Sequence, residues 1–526
     1  MRKLLLLVPV LYAMPLWAQV TVPVIKANFG SDGELRANYF STAPLANFDD
    51  WFKQGDPGSG IHVIDTNGSA AIRSRYAVDA AFRKRTLMVG MQYPQFTSIN
   101  NSFLLDAWLI RDHHGDDSTV FAQGSNKNGM SPQLWNSPVS QGIPDKNDIL
   151  DVYTHVRRDG PSGKDSLWLF GGVVIENTTG SRYFDMEMYQ TDIYFDRPSL
   201  EFKNYGPDAG HTSWTFDANG DIVTTGDIIF TAEFNNTGIS VLEARIWINR
   251  NDLMVAPNAF EWGGAFDGDG TAAQYGYANI LPKSAGNFYT GLQCNLNAWA
   301  GSYGLLRQDD SYTTVFEAKQ LMEFSVNLSK LGLDPLANGK DVCTMPFRKV
   351  LVKSRSSASF TAELKDFVGP FLVLNVPKAS AVTDIPFYCG VIGVSTISVT
   401  NVIATSVYEW TTADGQILTD PRQPTITVNR PGTYIVTQRL QEECLDVYAR
   451  DTVVITYDPN CSVLPNVLHQ FTGRVQQKAA ILTASISGGD QIKSIVLERT
   501  SNERGKFEPI AQGVFRQTAG RQSLSW

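Results

Sequence analysis

The sequence predicts an all-β protein assembled from several β-sandwiches. Apolar and polar residues alternate with period two through much of the chain, no stretch shows a sustained helical stripe, and Gly, Pro and Asn turn signals separate the alternating runs. With 526 residues, 43% hydrophobic and only 18% charged, the chain has room for about three or four domains and is apolar enough for large cores. Aromatic residues make up 11%, a proportion that suits sheet faces.

The first eighteen residues indicate the compartment. Arg2 and Lys3 precede an uncharged run from Leu4 to Leu16, and Ala18 follows as a small residue suited to cleavage, so residues 1–18 read as a secretory signal peptide. That run is shorter than the ~20 apolar residues that cross a bilayer as a helix, and no later segment is long enough, so no transmembrane anchor is expected. Loss of Arg2 and Lys3 with the leader takes the formal charge from −9 to −11. Such a surface is a poor partner for nucleic acid. The expected location is secreted or at the outer cell surface.

Residues 19–377 read as one large, jelly-roll-like β-sandwich. In Tyr183 to Tyr189, Phe184, Met186 and Met188 point one way and Asp185 and Glu187 the other. In Val241 to Arg250, Leu242, Ala244, Ile246 and Ile248 share a face, with Glu243, Arg245, Trp247 and Asn249 opposite. Leu167 to Ile175 is almost continuously apolar, with Gly171 and Gly172 inside it, and reads as a buried strand that bends or bulges at the glycines. Asn219-Gly220 between two apolar stretches signals a hairpin. Thr314 to Leu321 is the segment that reads as a short helix.

The segment 385–458 has the size of an immunoglobulin-like sandwich. Strands over 399–404, 407–411, 425–428, 434–439 and 452–457 are separated by turns at Asp414-Gly415 and Pro431-Gly432. Cys389 near its start and Cys444 after the Tyr434 strand are placed to staple its two ends. On Tyr408-Glu409-Trp410 and Pro431-Gly432-Thr433-Tyr434, the segment resembles the PKD-type and related immunoglobulin-like domains of bacterial surface proteins. That resemblance implies a spacer or adhesive module.

Residues 463–526 carry Leu464-Pro465 with Phe471-Thr472-Gly473, then Ile481-Leu482-Thr483, Val496-Leu497-Glu498-Arg499-Thr500 and Phe507-Glu508-Pro509-Ile510. On these pieces they resemble a fibronectin-like module that often precedes the C-terminal sorting domain in proteins exported by the bacterial type IX secretion system. The family usually has Trp where this chain has Ala484. A sandwich of about 100 residues is not complete by Trp526, so the module is expected to be partial.

The large region also has a likeness, carried by Ser166-Leu167-Trp168-Leu169-Phe170, Gly226-Asp227-Ile228-Ile229, Met322-Glu323-Phe324-Ser325-Val326 and Arg355-Ser356-Ser357-Ala358-Ser359-Phe360. It is similar to a repeating extracellular domain of unassigned biochemical function in secreted bacterial proteins. The resemblance implies a bridge between Cys294 and Cys343, closing a loop of roughly 50 residues worth about 4 kcal/mol in the chain-entropy model. Cys461, in the linker-like Asp458-Pro459-Asn460-Cys461, is then left over from the five cysteines.

The candidate chemistry is sparse. None of the cysteines forms a CxxC, so zinc has no support. Asp185 and Glu187 share a strand face, as a glycosidase acid and nucleophile about 5 Å apart would, but a solvated or hydrogen-bonded strand face is the commoner meaning. His113-His114-Gly115-Asp116-Asp117 reads as a polar loop, because adjacent side chains of extended backbone diverge. Asp267-Gly268-Asp269-Gly270 reads as a plain Asp-Gly turn, with structural calcium at Asp267 and Asp269 as the alternative. Trp214, Trp247, Trp262 and Trp299 offer flat faces for sugar rings, with Trp214 and Trp247 the leading pair. No Gly-x-Ser-x-Gly, P-loop or dinucleotide fingerprint occurs.

These readings point to a non-enzymatic protein of the cell exterior with an adhesion, display or structural role. Its partner would be an extracellular glycan or protein, and no catalytic residue or cofactor beyond structural calcium is expected. Glycan binding for polysaccharide capture is the alternative, and glycoside hydrolysis the third.

Overall fold

The period-two runs form antiparallel strands. The computed structural model describes residues 23–112, 119–138, 141–177, 180–340, 345–373, 379–400, 402, 406–440, 448–459, 467–477, 479–487, 494–500, 506–514 and 521–525. Residues 1–18, expected to be a signal peptide, the motif at 113–117, Cys343, Cys444 and Cys461 lie outside the described residues. The chain divides into two compact units. One runs to Ala379 and takes in Asn401–Val407 and Thr437–Arg450; the other comprises Ser380–Thr400, Tyr408–Val436 and Asp451–Trp526.

The principal strands of the first unit are β1 (Leu87–Gly90), β2 (Thr97–Ile99), β3 (Ser102–Arg111), β4 (Ile149–Arg158), β5 (Leu167–Ile175), β6 (Arg182–Tyr189) and β7 (Ile228–Asn235). They continue as β8 (Gly238–Asn249), β9 (Phe260–Gly268), β10 (Tyr275–Pro282), β11 (Tyr289–Gln293), β12 (Leu321–Asn327), β13 (Lys349–Arg355) and β14 (Leu364–Leu372). Sheet one has the order β9-β10-β8-β7-β6-β13-β14. Sheet two has the order β11-β12-β5-β4-β3-β1, with β2 also paired to β3.

The two sheets enclose one buried cluster. Phe184, Met186 and Met188 of β6 and Leu242, Ala244 and Ile246 of β8 meet Leu169 and Val173 of β5 and Met322, Phe324 and Val326 of β12. These are the inward residues that alternation assigns. Each large side chain so buried contributes about 1.5–3 kcal/mol. The result is an all-β sandwich.

Three local expectations change. Gly171 and Gly172 pair in register with Thr154 and Tyr153, so β5 does not bulge there. Instead a Cβ on Gly171 would lie 2.5 Å from the Phe324 ring, and the glycine makes room for that ring. The segment expected to be helical holds the strand Val315–Phe316, paired with Ala298–Trp299, before the chain turns into β12. There Gln320 Oε1 accepts from Glu317 N at 2.7 Å and closes the turn. Helix occurs at Ser69–Val78, where only Tyr76 is buried, so no apolar stripe marks it in the sequence. The hairpin signal is met: Thr215–Phe216 pairs antiparallel with Ile222–Thr224, and Gly220 turns with φ +86°.

Both outer faces of this sandwich are covered. Phe29, Leu35, Trp51, Phe52, Val63 and Ile64 of the N-terminal segment pack on the outward Tyr153, Phe170 and Val174 of sheet two. The outer face of sheet one lies under Phe121, Trp135, Phe202 and Phe360.

Beyond Ser380 the chain forms a three-stranded sheet of Ala381–Thr383, Ser395–Val399 and Thr425–Val428. A four-stranded sheet has the order Phe387–Cys389, Tyr448–Asp458, Gly432–Leu440 and Ser406–Thr412. Ser395–Val399 forms a strand whose Ile397 and Val399 are buried, and half of the strand expected over 399–404 lies outside the described residues. Tyr434 donates its hydroxyl proton to Arg430 O at 2.7 Å and pins the Pro431-Gly432 turn. After residue 466 come a three-stranded sheet of Val467–Gln476, Ala479–Ser487 and Arg521–Ser525 and a pair, Ser494–Arg499 with Glu508–Val514.

Candidate functional site

Alternation along β6 turns Asp185 and Glu187 to the outer face of sheet one, and the covering layer seals them there with no exposure. Asp185 Oδ1 accepts from Arg355 Nε at 3.0 Å and Thr231 Oγ1 at 2.9 Å, and its Oδ2 from Asn128 Nδ2 at 2.7 Å. Glu187 Oε2 accepts from Lys353 Nζ and its Oε1 from the Tyr277 hydroxyl at 2.6 Å. Burial pushes the Glu187 carboxyl up, but Lys353 and His211 outweigh it and hold the group below the usual range. All four oxygens are engaged and none meets solvent. The pair therefore works as an ion-pair lattice between strands, and a glycosidic bond has no route to it.

The proposed sugar platform is overturned. Trp214 and Trp247 are each 1% exposed: Trp214 belongs to the inter-sheet core, and Trp247 lies on the opposite face of sheet one, which is itself buried. Trp214 Nε1 donates to Asp227 O at 3.1 Å and Trp247 Nε1 to Asp208 O at 2.8 Å. Trp247 also packs on the His211 ring with centroids 4.1 Å apart. Trp262 and Trp299 are half-buried, the first donating to Val255 O and the second packed edge-on against Phe52.

At the Asp-Gly turn, Asp267 is paired with Arg245 and Asp269 is exposed. One further expectation is corrected. Cys294 is a free thiol, not half of a bridge to Cys343. Its Sγ is buried at the start of β12, accepting from Leu321 N at 3.3 Å. Burial pushes this thiol up to about 11. Cys389 is disulfide-bonded, and Cys444 lies outside the described residues.

A second concentration of charge lies under the N-terminal layer. Phe29-Gly30 leads into the turn Ser31-Asp32-Gly33-Glu34, and the chain returns alongside through Asp49-Asp50-Trp51. Gly30 N donates to Asp49 O and Phe52 N to Leu35 O, both at 2.9 Å. Gly33 has φ +80°, and a Cβ on it would lie 2.5 Å from the Gln293 backbone. A Cβ on Gly30 would lie 2.8 Å from Asp50 Oδ2. The glycines thus allow the turn to sit against sheet two.

Glu323, outward on β12, meets this turn. It accepts from Gly33 N at 2.7 Å and from Trp51 Nε1 at 2.5 Å. One carboxylate oxygen from each of Asp32, Glu34 and Asp50 lies within 4.8 Å of the others, and all three residues are buried. Glu34 is bound by Arg36 Nε at 3.1 Å. Asp32 Oδ1 accepts from Glu34 N at 3.2 Å and Asp50 Oδ1 from Trp51 N at 2.6 Å. The Oδ2 atom of each is buried without a hydrogen-bond partner.

Four carboxyls so placed cannot all ionise cheaply. Burial, with Glu34 and Glu323 adding to it, raises Asp32 well above the usual range, and burial with Asp32 and Glu323 does the same to Asp50. Burial lifts Glu34 to about 8 against the pull of Arg36, and lifts Glu323 to about 8 despite its donors. Sequence reasoning missed this cluster. Its only local signs are Asp32-Gly33-Glu34 and Asp49-Asp50, and nothing nearby points to Glu323, which stands 290 positions from Gly33.

No helix among the described residues is long and apolar enough to cross a membrane. No protein-family model matches the chain, and no curated protein matches it. Among solved structures the chain is similar to the adhesin domain of Epf from Streptococcus pyogenes, at 11% identity and a TM-score of 0.12, covering 65% of this chain and 92% of that one. A likeness at that TM-score carries no argument for fold or function.

Proposed function

We propose that the protein is an exported, non-enzymatic component of the cell exterior that acts in adhesion or display. Its large sandwich is the presented body, and the modules at 385–458 and 463–526 are spacers. The observation that carries this reading is the use made of the charged and aromatic side chains. Asp185, Glu187, Lys353 and Arg355 are spent on bonds between neighbouring strands and to Asn128 of the covering layer, and Trp214 and Trp247 donate to backbone. Such a construction yields a rigid body whose contacts with a partner are made over its surface.

The test is a paired assay on the purified chain. Coated beads are scored for attachment to immobilised glycans and extracellular proteins, while the soluble chain is incubated with polysaccharides and assayed for new reducing ends. Attachment without bond cleavage is expected. Turnover that copurifies with the chain and disappears in Glu187→Gln would overturn the reading.

A further inference from the structure

Hydrogen bonding leaves the carboxylate cluster beneath the N-terminal layer unfinished. Asp32 and Asp50 are 4% and 0% exposed, yet Oδ2 of each has no donor. Unpartnered buried oxygens of like charge are costly, and native structures normally satisfy them. Arg36 is held by Glu34 and lies over the Tyr39 ring, while Glu323 spends its oxygens on Gly33 and Trp51. Among the described residues no cationic side chain is paired with Asp32 or Asp50.

We propose that Asp32, Glu34 and Asp50 bind one divalent cation of the hard, oxygen-preferring class, Ca2+, which fastens the N-terminal layer to sheet two. The donors are all carboxylate oxygens, without the thiolate or imidazole that zinc and copper sites favour. Their spacing fits. Oxygens around one Ca2+ at about 2.3–2.6 Å stand at most about 5 Å apart, and these three lie within 4.8 Å. Mg2+ demands near-ideal octahedral geometry and keeps several waters, whereas Ca2+ accepts irregular sets of oxygens such as this buried one. Glu323 is a positioning residue: it holds the turn through Gly33 N and the return strand through Trp51. The site is separate from the Asp267–Asp269 turn, where Arg245 already supplies the counter-charge.

The full chain is stripped with a chelator, titrated with CaCl2 or MgCl2 by calorimetry, and melted with and without each salt. One Ca2+ per chain is expected, bound at least tenfold tighter than Mg2+. At a hundredfold excess over Kd it should raise the midpoint on the order of 5 °C. Asp50→Asn and Asp32→Asn should each lose this response. Asp267→Asn should keep the full response. Absence of binding to the stripped, folded chain would overturn the proposal, as would Ca2+ binding unchanged in both Asn variants.

Discussion

Arg157 of β4 and Asp49 of the N-terminal layer form an ion pair at 2.6 Å, with neither side chain exposed. Asp49 also accepts from Asn100 Nδ2 at 2.6 Å and Ile61 N at 2.8 Å. Breaking such a pair from one side strands the remaining charge, whereas replacing both partners by apolar residues removes the desolvation cost as well. Asp49→Ala should therefore destabilise the chain by about 3–5 kcal/mol. Asp49→Leu combined with Arg157→Met should cost less than half of that. Urea unfolding of the three proteins checks this, and a double variant as weak as the single one would refute it.

Lys353 and Glu187 give a second prediction, with a pH signature. In the native chain the Glu187 carboxyl lies below its ordinary value, so its contribution is present above the unfolded pKa of about 4.3 and is lost as pH falls through the folded value. Lys353→Met leaves burial as the dominant influence, and the folded pKa then rises above the unfolded one. The variant should be about 3–5 kcal/mol less stable at pH 7. Its deficit should shrink towards pH 5, where the stranded carboxyl takes up a proton. Urea midpoints at the two pH values measure it, and a deficit that stays constant would count against the assignment.

These two pairs show where the sequence stops being informative. Alternation separates Phe184, Met186 and Met188 from Asp185 and Glu187 correctly, but it cannot say whether the second face meets water or another layer of chain. Here both outer faces are covered, so Trp247, expected on a polar face, stacks in a sealed layer. Cys294 failed for a related reason. A resemblance supplied its pairing, while the fold places its sulfur beneath the first residue of β12. The carboxylate cluster was the least legible, since Asp32, Asp50 and Glu323 come together only through tertiary packing.

His155 predicts a second pH dependence, at milder acidity. Its ring packs against Phe29, Trp51 and Phe170, and Nδ1 is bonded to Asp106 O at 2.6 Å. Burial, with Arg157 adding to it, holds its pKa well below the ordinary value of about 6.5. Below that value the unfolded chain binds a proton that the folded chain refuses, so stability falls with pH by up to about 1.4 kcal/mol per unit. Half-buried His62 is shifted the same way, also by burial. His155→Gln should flatten the stability curve between pH 6.5 and 5 relative to wild type. An unchanged slope would show that His155 titrates normally in the fold.

Cys294 should be chemically silent until the sandwich opens. Its thiol is 4% exposed, raised to about 11, and held between Leu321 N and Glu317 O, to which it donates at 3.4 Å. Alkylation proceeds through the thiolate, which at neutral pH is then a small fraction of an already inaccessible group. Iodoacetamide at pH 8 should leave the peptide carrying Cys294 unmodified in the native chain and label it completely in 6 M guanidinium chloride without any reductant. Labelling that requires prior reduction would mean a disulfide at this position. Labelling of the native chain would mean that β12 and its neighbours open readily, contrary to the continuous pairing of β12 with β5 and β11.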